Sequence, residues 1–209
     1  MNVTIIGTGT MARGIGRRLI AGGHAVTVLG REIDAAEAVV SDIGADGNAR
    51  AGRSGDAIAD DVVVLAVYYP DAQAAVEQYG DDLSGKVVVD ITNPVNEAFD
   101  GLVTPPDSSA AQELASSAAG ARVVKAFNTT FAGTLSDGRV AGQPLDVFMA
   151  GDDEDAKATV AKLAQDGGLN PIDAGPLKQA RQLEAMGLLH MRLQSSLGTG
   201  FSSALKILA

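Results

Sequence analysis

The chain has 209 residues, 46% of them hydrophobic and 20% charged, an ordinary globular composition with enough apolar residues for a sizeable core. A formal charge of −10 with no basic run excludes a nucleic-acid surface, which needs clustered Lys and Arg. Cysteine is absent, which excludes a disulfide framework, thiol catalysis and a cysteine metal site, and the longest apolar run, Val62 to Tyr69, is shorter than the ~18 residues of a membrane helix.

In chain order, Val3 to Ile6 is rich in β-branched residues and reads as a strand. It runs directly into Gly7-Thr8-Gly9-Thr10-Met11-Ala12 and a helical pattern from about Thr10 to Ala21, with Ile15, Leu19 and Ile20 as its apolar stripe. Strand, tight turn and helix in this order are the context that gives a Gly-x-Gly-x-x-Ala pattern meaning. Gly7 permits the turn, Gly9 leaves room for a pyrophosphate, and Ala12 lets helix and strand pack closely. The free N–H groups at the helix start, backed by the helix dipole, face the phosphates. The expectation is a dinucleotide site.

His24 to Leu29 reads as the second strand, and its end decides the cofactor. A site for NAD places an acidic residue there against the ribose 2′-hydroxyl, whereas NADP needs space and positive charge for the 2′-phosphate. Here the chain reads Gly30-Arg31-Glu32. Gly30 removes an obstructing side chain and Arg31 can pair with a phosphate, so NADP is favoured, although Glu32 lies within a short register slip. A helix over Ile33–Ile43 and a loose glycine-rich stretch, Gly44 to Gly55, follow. Asp56 to Ile58 reads as a short strand or a turn.

Val62 to Val67 is a continuous apolar strand, of the kind buried on both faces of a parallel sheet. Its exit, Val67-Tyr68-Tyr69, lies at the edge where ligands bind in such sheets, so these residues are expected along the ribose and nicotinamide, with one tyrosine serving as rim packing. Asp71 is expected to cap a helix through Gln78. Lys86 to Asp90 is the next strand, delivering Asn93 and Pro94 to the same edge. Ser109 with Gln112 forms a capping box for a helix to about Ala118, and Arg122 to Phe127 is a strand that delivers Asn128. Asp146 to Ala150 is another strand. The acidic run Asp152 to Asp155 reads as a helix start capped by Asp152, with the helix running to about Gln165. Asn170 to Ala174 is extended. A largely apolar helix follows over Leu177–Leu193, suited to burial in a core or dimer interface, then a polar loop, Ser195 to Gly200. Phe201 to Ala209 is too short to type.

These blocks predict an α/β chain: a Rossmann-type, doubly wound, mostly parallel sheet over residues 1–150, and a small C-terminal helical extension over residues 151–209. The chain resembles the NADPH-dependent reductases of the 5-deazaflavin coenzyme F420. The resemblance rests on Gly7 to Ala12, Gly30-Arg31, Asp90 to Pro94, Val123 to Thr129, Gly151-Asp152-Asp153 and Asp173 to Leu177, the last two blocks being the more specific. The nucleotide domain of transmembrane ferric reductases is also similar. The family resemblance implies a homodimer and hydride transfer between stacked nicotinamide and deazaflavin rings, for which no acid–base residue is strictly required, in keeping with a sequence that offers no triad, dyad or metal cluster. It implies cofactor binding by Gly7, Thr8, Gly9, Thr10, Met11, Ala12, Gly30 and Arg31. Val67, Tyr68, Asn93 and Asn128 would surround the ring, with Arg181 toward the second substrate. Asn128 stands where the family has a histidine, and Gly187 stands where it has a hydroxyl residue on the last helix.

Other small acceptors stay open: a flavin, a quinone, a ferric chelate or a carbonyl, for which Tyr68, Tyr69 and His190 are the candidate proton donors. So does a non-catalytic NADP(H) sensor. No membrane or nucleic-acid partner is expected, and a cytoplasmic location follows from a strand that begins without a basic leader.

Overall fold

The computed structural model describes residues 1–44 and 47–208. Its frame is one eight-stranded sheet built from β1 (Asn2–Ile6), β2 (Ala25–Gly30), β3 (Ala49–Arg53), β4 (Val62–Leu65), β5 (Val87–Asp90), β6 (Arg122–Lys125), β9 (Asp146–Gly151) and β10 (Asn170–Asp173). β7 (Arg139–Val140) and β8 (Gln143–Pro144) form a separate hairpin. The sheet order is β10-β9-β6-β5-β4-β1-β2-β3, and every pairing is parallel except β6 with β9. This is the doubly wound Rossmann arrangement, with its ligand crevice outside the strand C-termini where the order reverses, between β1 and β4.

β4 and β5 are buried at every position because both faces of the sheet are covered. Alternate residues serve opposite layers, as the two-residue period of a strand requires. Val3, Ile5, Val62, Val64, Val87 and Val89 join one core with Ile15 and Leu19 of α1 (Thr10–Ala21), Val39 of α2 (Ile33–Ile43) and Val160 of α6 (Glu154–Asp166). Val63, Leu65 and Val88 join the other with Val76 of α3 (Tyr69–Tyr79) and Leu114 of α4 (Ala110–Ser117). The remaining helices are α5 (Ala132–Asp137), which packs against α1, and α7 (Ala180–Leu197).

Several expectations need correction. The stretch Gly44 to Gly55, whose residues 45 and 46 lie outside the described ones, holds β3. Ala-Arg-Ala-Gly-Arg has no β-branched residue and becomes a strand through its ladder to β2. Asp56 to Ile58 is not a strand. Asp71 lies inside the first turn of α3, whose cap residue is Tyr68, because Pro70 is already helical. Asp153, not Asp152, caps α6, accepting from Ala156 N at 2.7 Å. Asp152 instead accepts from Leu177 N at 2.8 Å and ties the two C-terminal helical segments together. α7 runs on to Leu197, through part of the expected loop, and it is not buried all round. Its inner face carries Leu183, Glu184, Gly187, His190 and Gln194, while Leu189, Leu193 and Leu197 lie outward. The boundary drawn at residue 150 falls inside β9, so the C-terminal extension continues the same sheet. Residues 202–208 have no regular structure and are held where Ile207 N donates to Asp146 Oδ2 at 2.7 Å.

Candidate functional site

The ends of β1, β2, β4, β5 and β6 meet along one edge, and the residues singled out in the sequence fall there for separate reasons. Gly7 has φ +124°, and a Cβ on it would lie 2.3 Å from Ala66 O, so the crossing of β1 and β4 requires glycine. Gly9 caps α1 with φ −76° and ψ −175°, and a Cβ there would meet nothing within 4 Å. No side chain caps α1, so its first N–H groups face open space over Gly9 and Thr10, both exposed. This is a cradle of the shape and polarity that a pyrophosphate fits. Thr8 is half-buried, Met11 packs at the margin of the core and Ala12 is fully buried.

Gly30 has a different reason from the one the sequence suggests. A Cβ on it would lie 2.7 Å from Thr8 Cγ2, so its bareness admits the β1–α1 turn before it admits a phosphate. The Arg31 side chain is 86% exposed with only a loose 3.9 Å approach to Asp71, leaving its guanidinium available to an anion. Tyr68 is 83% exposed and Val67 half-buried at the exit of β4. Tyr69 departs from its expected place. It is buried against α4, its hydroxyl bonded to the Glu113 carboxylate and accepting from Gln73 Nε2 at 3.0 Å, because its helix turns it into the core. Burial and the Glu113 carboxylate together hold its phenol well above the ordinary range.

At the exits of β5 and β6 the structure pairs two residues the sequence named separately. Asn93 Nδ2 donates to Asn128 O at 2.8 Å, and Asn128 Nδ2 donates to Asn93 Oδ1 at 2.9 Å and to Leu183 O at 2.9 Å. Pro94 is buried behind them, and its carbonyl accepts from Val103 N at 2.7 Å. Gly187 of α7 closes over the pair, where a Cβ would lie 2.5 Å from Asn93 Oδ1. Arg181 lies further out, donating to Thr104 Oγ1 at 2.9 Å beside a shallow depression of about 280 Å³ lined by Leu102, Ala185, Leu188 and Arg192. His190 is buried, with Nδ1 3.2 Å from Thr129 O and Nε2 2.9 Å from Ser203 Oγ, and it stacks on Phe131. Burial keeps its ring below the usual histidine range, and both nitrogens are engaged, so it locks the tail to α7 and has no free edge for a substrate.

Sequence reasoning missed the polar cluster beneath this edge. Lys125 is completely buried and donates to Asp90 Oδ2 at 2.8 Å, Thr92 O at 2.6 Å and Glu184 Oε1 at 2.9 Å. Glu184 also accepts from Ala110 N and Ala111 N at the start of α4, and Asp90 Oδ1 accepts from Thr92 N at 2.8 Å. Burial holds the Glu184 carboxyl above the ordinary range, against the opposing pull of Lys125. The available signal was a lysine and an aspartate directly after paired or tripled valines in two strands, with a glutamate inside a largely apolar helix segment. Among the described residues no group of three or more His, Asp or Glu is placed to hold a metal, and no helix is long and apolar enough to cross a membrane.

Comparison with known proteins adds to this geometry. Residues 2–94 match the family model described as NADP oxidoreductase, coenzyme F420-dependent. The F420-dependent NADP reductase of Methanocaldococcus jannaschii is 34% identical over 67% of this chain and 66% of its own length. The metalloreductase STEAP3 of Rattus norvegicus is 30% identical over 89% of this chain but only 36% of its own length. The chain thus spans about two thirds of the length of that reductase and about a third of that of the metalloreductase. A crystal structure from Arthrobacter sp. FB24, described as a candidate F420-dependent NADP reductase, superposes with a TM-score of 0.86 at 31% identity, covering 99% of both chains.

Proposed function

The chain belongs to the coenzyme F420-dependent NADP oxidoreductase family, and from that premise we propose that it transfers a hydride between NADP and a flavin-like ring, with the deazaflavin F420 the first acceptor to test. The observation that carries the reading is the uncapped, open start of α1 over Gly9, beside the exposed guanidinium of Arg31, held only by its loose approach to Asp71. Gly7 to Ala12 would hold the pyrophosphate, Gly30 and Arg31 the adenosine 2′-phosphate, and Val67, Tyr68, Asn93 and Pro94 the nicotinamide side. NADPH, when bound, would supply the hydride that the acceptor ring takes up, leaving NADP⁺. Residues 151–209 would complete the acceptor side, with Asn128 and Arg181 toward the second ring. Hydride transfer between stacked rings needs position more than acid–base help, and this edge supplies position: a rigid asparagine pair and a helix packed onto it.

The direct test is anaerobic mixing of the protein with NADPH and oxidised F420, following loss of the deazaflavin absorbance. NADH, free flavin, a quinone, a carbonyl and a ferric chelate run in parallel. Bleaching with NADPH and not NADH is the expected result. Tight NADPH binding with no acceptor reduced would instead favour an NADP(H) sensor. Replacing Arg31 with alanine is expected to weaken NADPH about tenfold or more and NADH less than about threefold, read by titration of cofactor fluorescence. Equal losses would remove the case for NADP over NAD.

A homodimer, formed through the outward stripe Leu189, Leu193 and Leu197 of α7, is part of the same reading, as is a cytoplasmic location. Light scattering of the purified chain tests the dimer, and a monomeric mass would reject it.

A further inference from the structure

β3 ends beside β2 at one register pair, Gly30 opposite Arg53. Paired residues of parallel neighbours carry their side chains on the same face of the sheet, and the strands are about 4.8 Å apart. Gly30 identifies the face, since a Cβ on it would point at Thr8 Cγ2 and Ala36 Cβ, at 2.7 and 3.4 Å. Arg53 is therefore rooted next to the β1–α1 turn and the first turn of α2. Arg31, one residue past Gly30, lies on the opposite face, where it approaches Asp71 of α3. Two arginines thus flank the bare end of β2.

The exit of β3 is fixed in place. Ser54 N donates to Gly30 O at 2.8 Å, Arg53 N to Asp56 Oδ2 at 2.7 Å, and Gly55 N to Tyr79 Oη at 2.8 Å. Asp56 N closes the turn by donating to Arg53 O at 3.0 Å. These bonds use the backbone of Arg53 and leave its side chain out. Arg53 is exposed, and its guanidinium has no hydrogen-bonded or ion-paired partner among the described residues. Other arginines stitch the fold: Arg13 and Arg17 bond Asp42, Arg18 bonds Ser136 O, and Arg50 bonds Thr27. Arg53 does no such work.

The charge at this edge calls for more than one cation. Glu32 and Asp34 stand at the start of α2, whose first turn, Ile33 to Ala36, holds no basic residue, and Asp71 already draws on Arg31. A 2′-phosphate adds about two negative charges at neutral pH. One arginine shared with a carboxylate leaves such a group under-compensated, and a second guanidinium fork is the fitting partner for its remaining oxygens.

We infer that Arg53 is a second specificity-determining residue for NADP, pairing with the adenosine 2′-phosphate from the α2 face of Gly30 while Arg31 pairs with it from the α3 face. The inference rests on the NADP reading given above and deepens it with a residue from β3, a strand with no sequence signal of its own.

The test uses two ligand pairs that differ in that one phosphate: NADPH with NADH, and adenosine 2′,5′-bisphosphate with 5′-AMP. Calorimetric titration measures the preference within each pair. Arg53→Ala is expected to melt at the wild-type temperature, because its side chain has no bond in the fold to lose, and to reduce the preference about tenfold in both pairs. Arg53→Lys keeps the charge without the fork and should recover part of it. Arg31→Ala with Arg53→Ala should bind both members of each pair alike. A preference unchanged in Arg53→Ala overturns the inference, and a fall in Arg31→Ala beside it keeps the NADP reading standing. Equal losses for both members of a pair also overturn it, since Arg53 would then support the adenosine or the fold and not read the phosphate. A wild-type chain with no preference in either pair removes the NADP reading and the role of Arg53 with it.

Discussion

A Gly9→Asp variant is expected to melt at the wild-type temperature and to lose about a hundredfold or more in NADPH affinity. The backbone at Gly9 is extended, with φ −76° and ψ −175°, which any residue adopts, and the added Cβ has no neighbour within 4 Å. Aspartate is also a good helix cap, accepting from the first free N–H groups of α1 and favoured by the helix dipole, though its gain over a glycine cap is only about a few tenths of a kcal/mol. The fold therefore tolerates the change. The same carboxylate takes the N–H donors a pyrophosphate would use and adds negative charge against it, and a loss of ~3 kcal/mol of binding is a little over a hundredfold. Calorimetric titration with NADPH, beside a thermal melt, checks both halves. Gly7→Ala is the contrasting control. Its Cβ would press within 2.3 Å of a backbone oxygen at φ +124°, so it is expected to destabilise the fold itself. Unchanged NADPH affinity in Gly9→Asp would place the phosphates elsewhere and remove the main support for the cofactor assignment.

What the sequence made legible follows the range of the interactions involved. The bounds of α1 and α2 could be read directly because their stripes, turns and stops are local. So could the buried strands β4 and β5, whose uninterrupted valines have few other uses, although β4 ends sooner than its apolar run does. β3 was not legible, since Ala49 to Arg53 has no strand chemistry and is extended only by its neighbour. α5 and the β7–β8 hairpin were also beyond reach, being short elements organised by packing on α1 and by the turn between them. At the site, the motif residues of the first turn fell where the pattern said, whereas Tyr68 and Tyr69, adjacent in sequence, went to solvent and to core. The Asn93–Asn128 pair joins residues 35 apart, and the contact between Lys125 and Glu184 spans 59. No local pattern encodes such meetings; the register of β5 on β6, Asp90 beside Lys125, creates them.

Replacing that lysine is expected to have the largest effect on stability. Lys125→Met keeps the length of the side chain and removes its charge, leaving the carboxylates of Asp90 and Glu184, both fully buried, without a counter-ion. Losing one partner of a buried ionic cluster typically costs about 3–5 kcal/mol, a large part of the ~5–15 kcal/mol that holds a domain together. The pH dependence is the sharper signature. Burial already holds the Glu184 carboxyl above its ordinary range while Lys125 opposes it, so removal of Lys125 should raise it further. An acid whose folded pKa lies above its unfolded one binds the extra proton in the folded state. Its contribution is therefore most favourable below the unfolded value, about 4.3, and declines as pH rises through the folded value. Lys125→Met should thus be most stable in mild acid and weaken toward neutrality, with a steeper slope than wild type in urea melts across that window. Adding Glu184→Leu to Lys125→Met removes one of the two stranded carboxylates, so the double variant should be more stable than Lys125→Met alone and less dependent on pH. A single variant with wild-type stability and a flat profile would mean that the cluster does not hold α7 to the sheet, and that Gly187 closes over the asparagine pair by apolar packing alone.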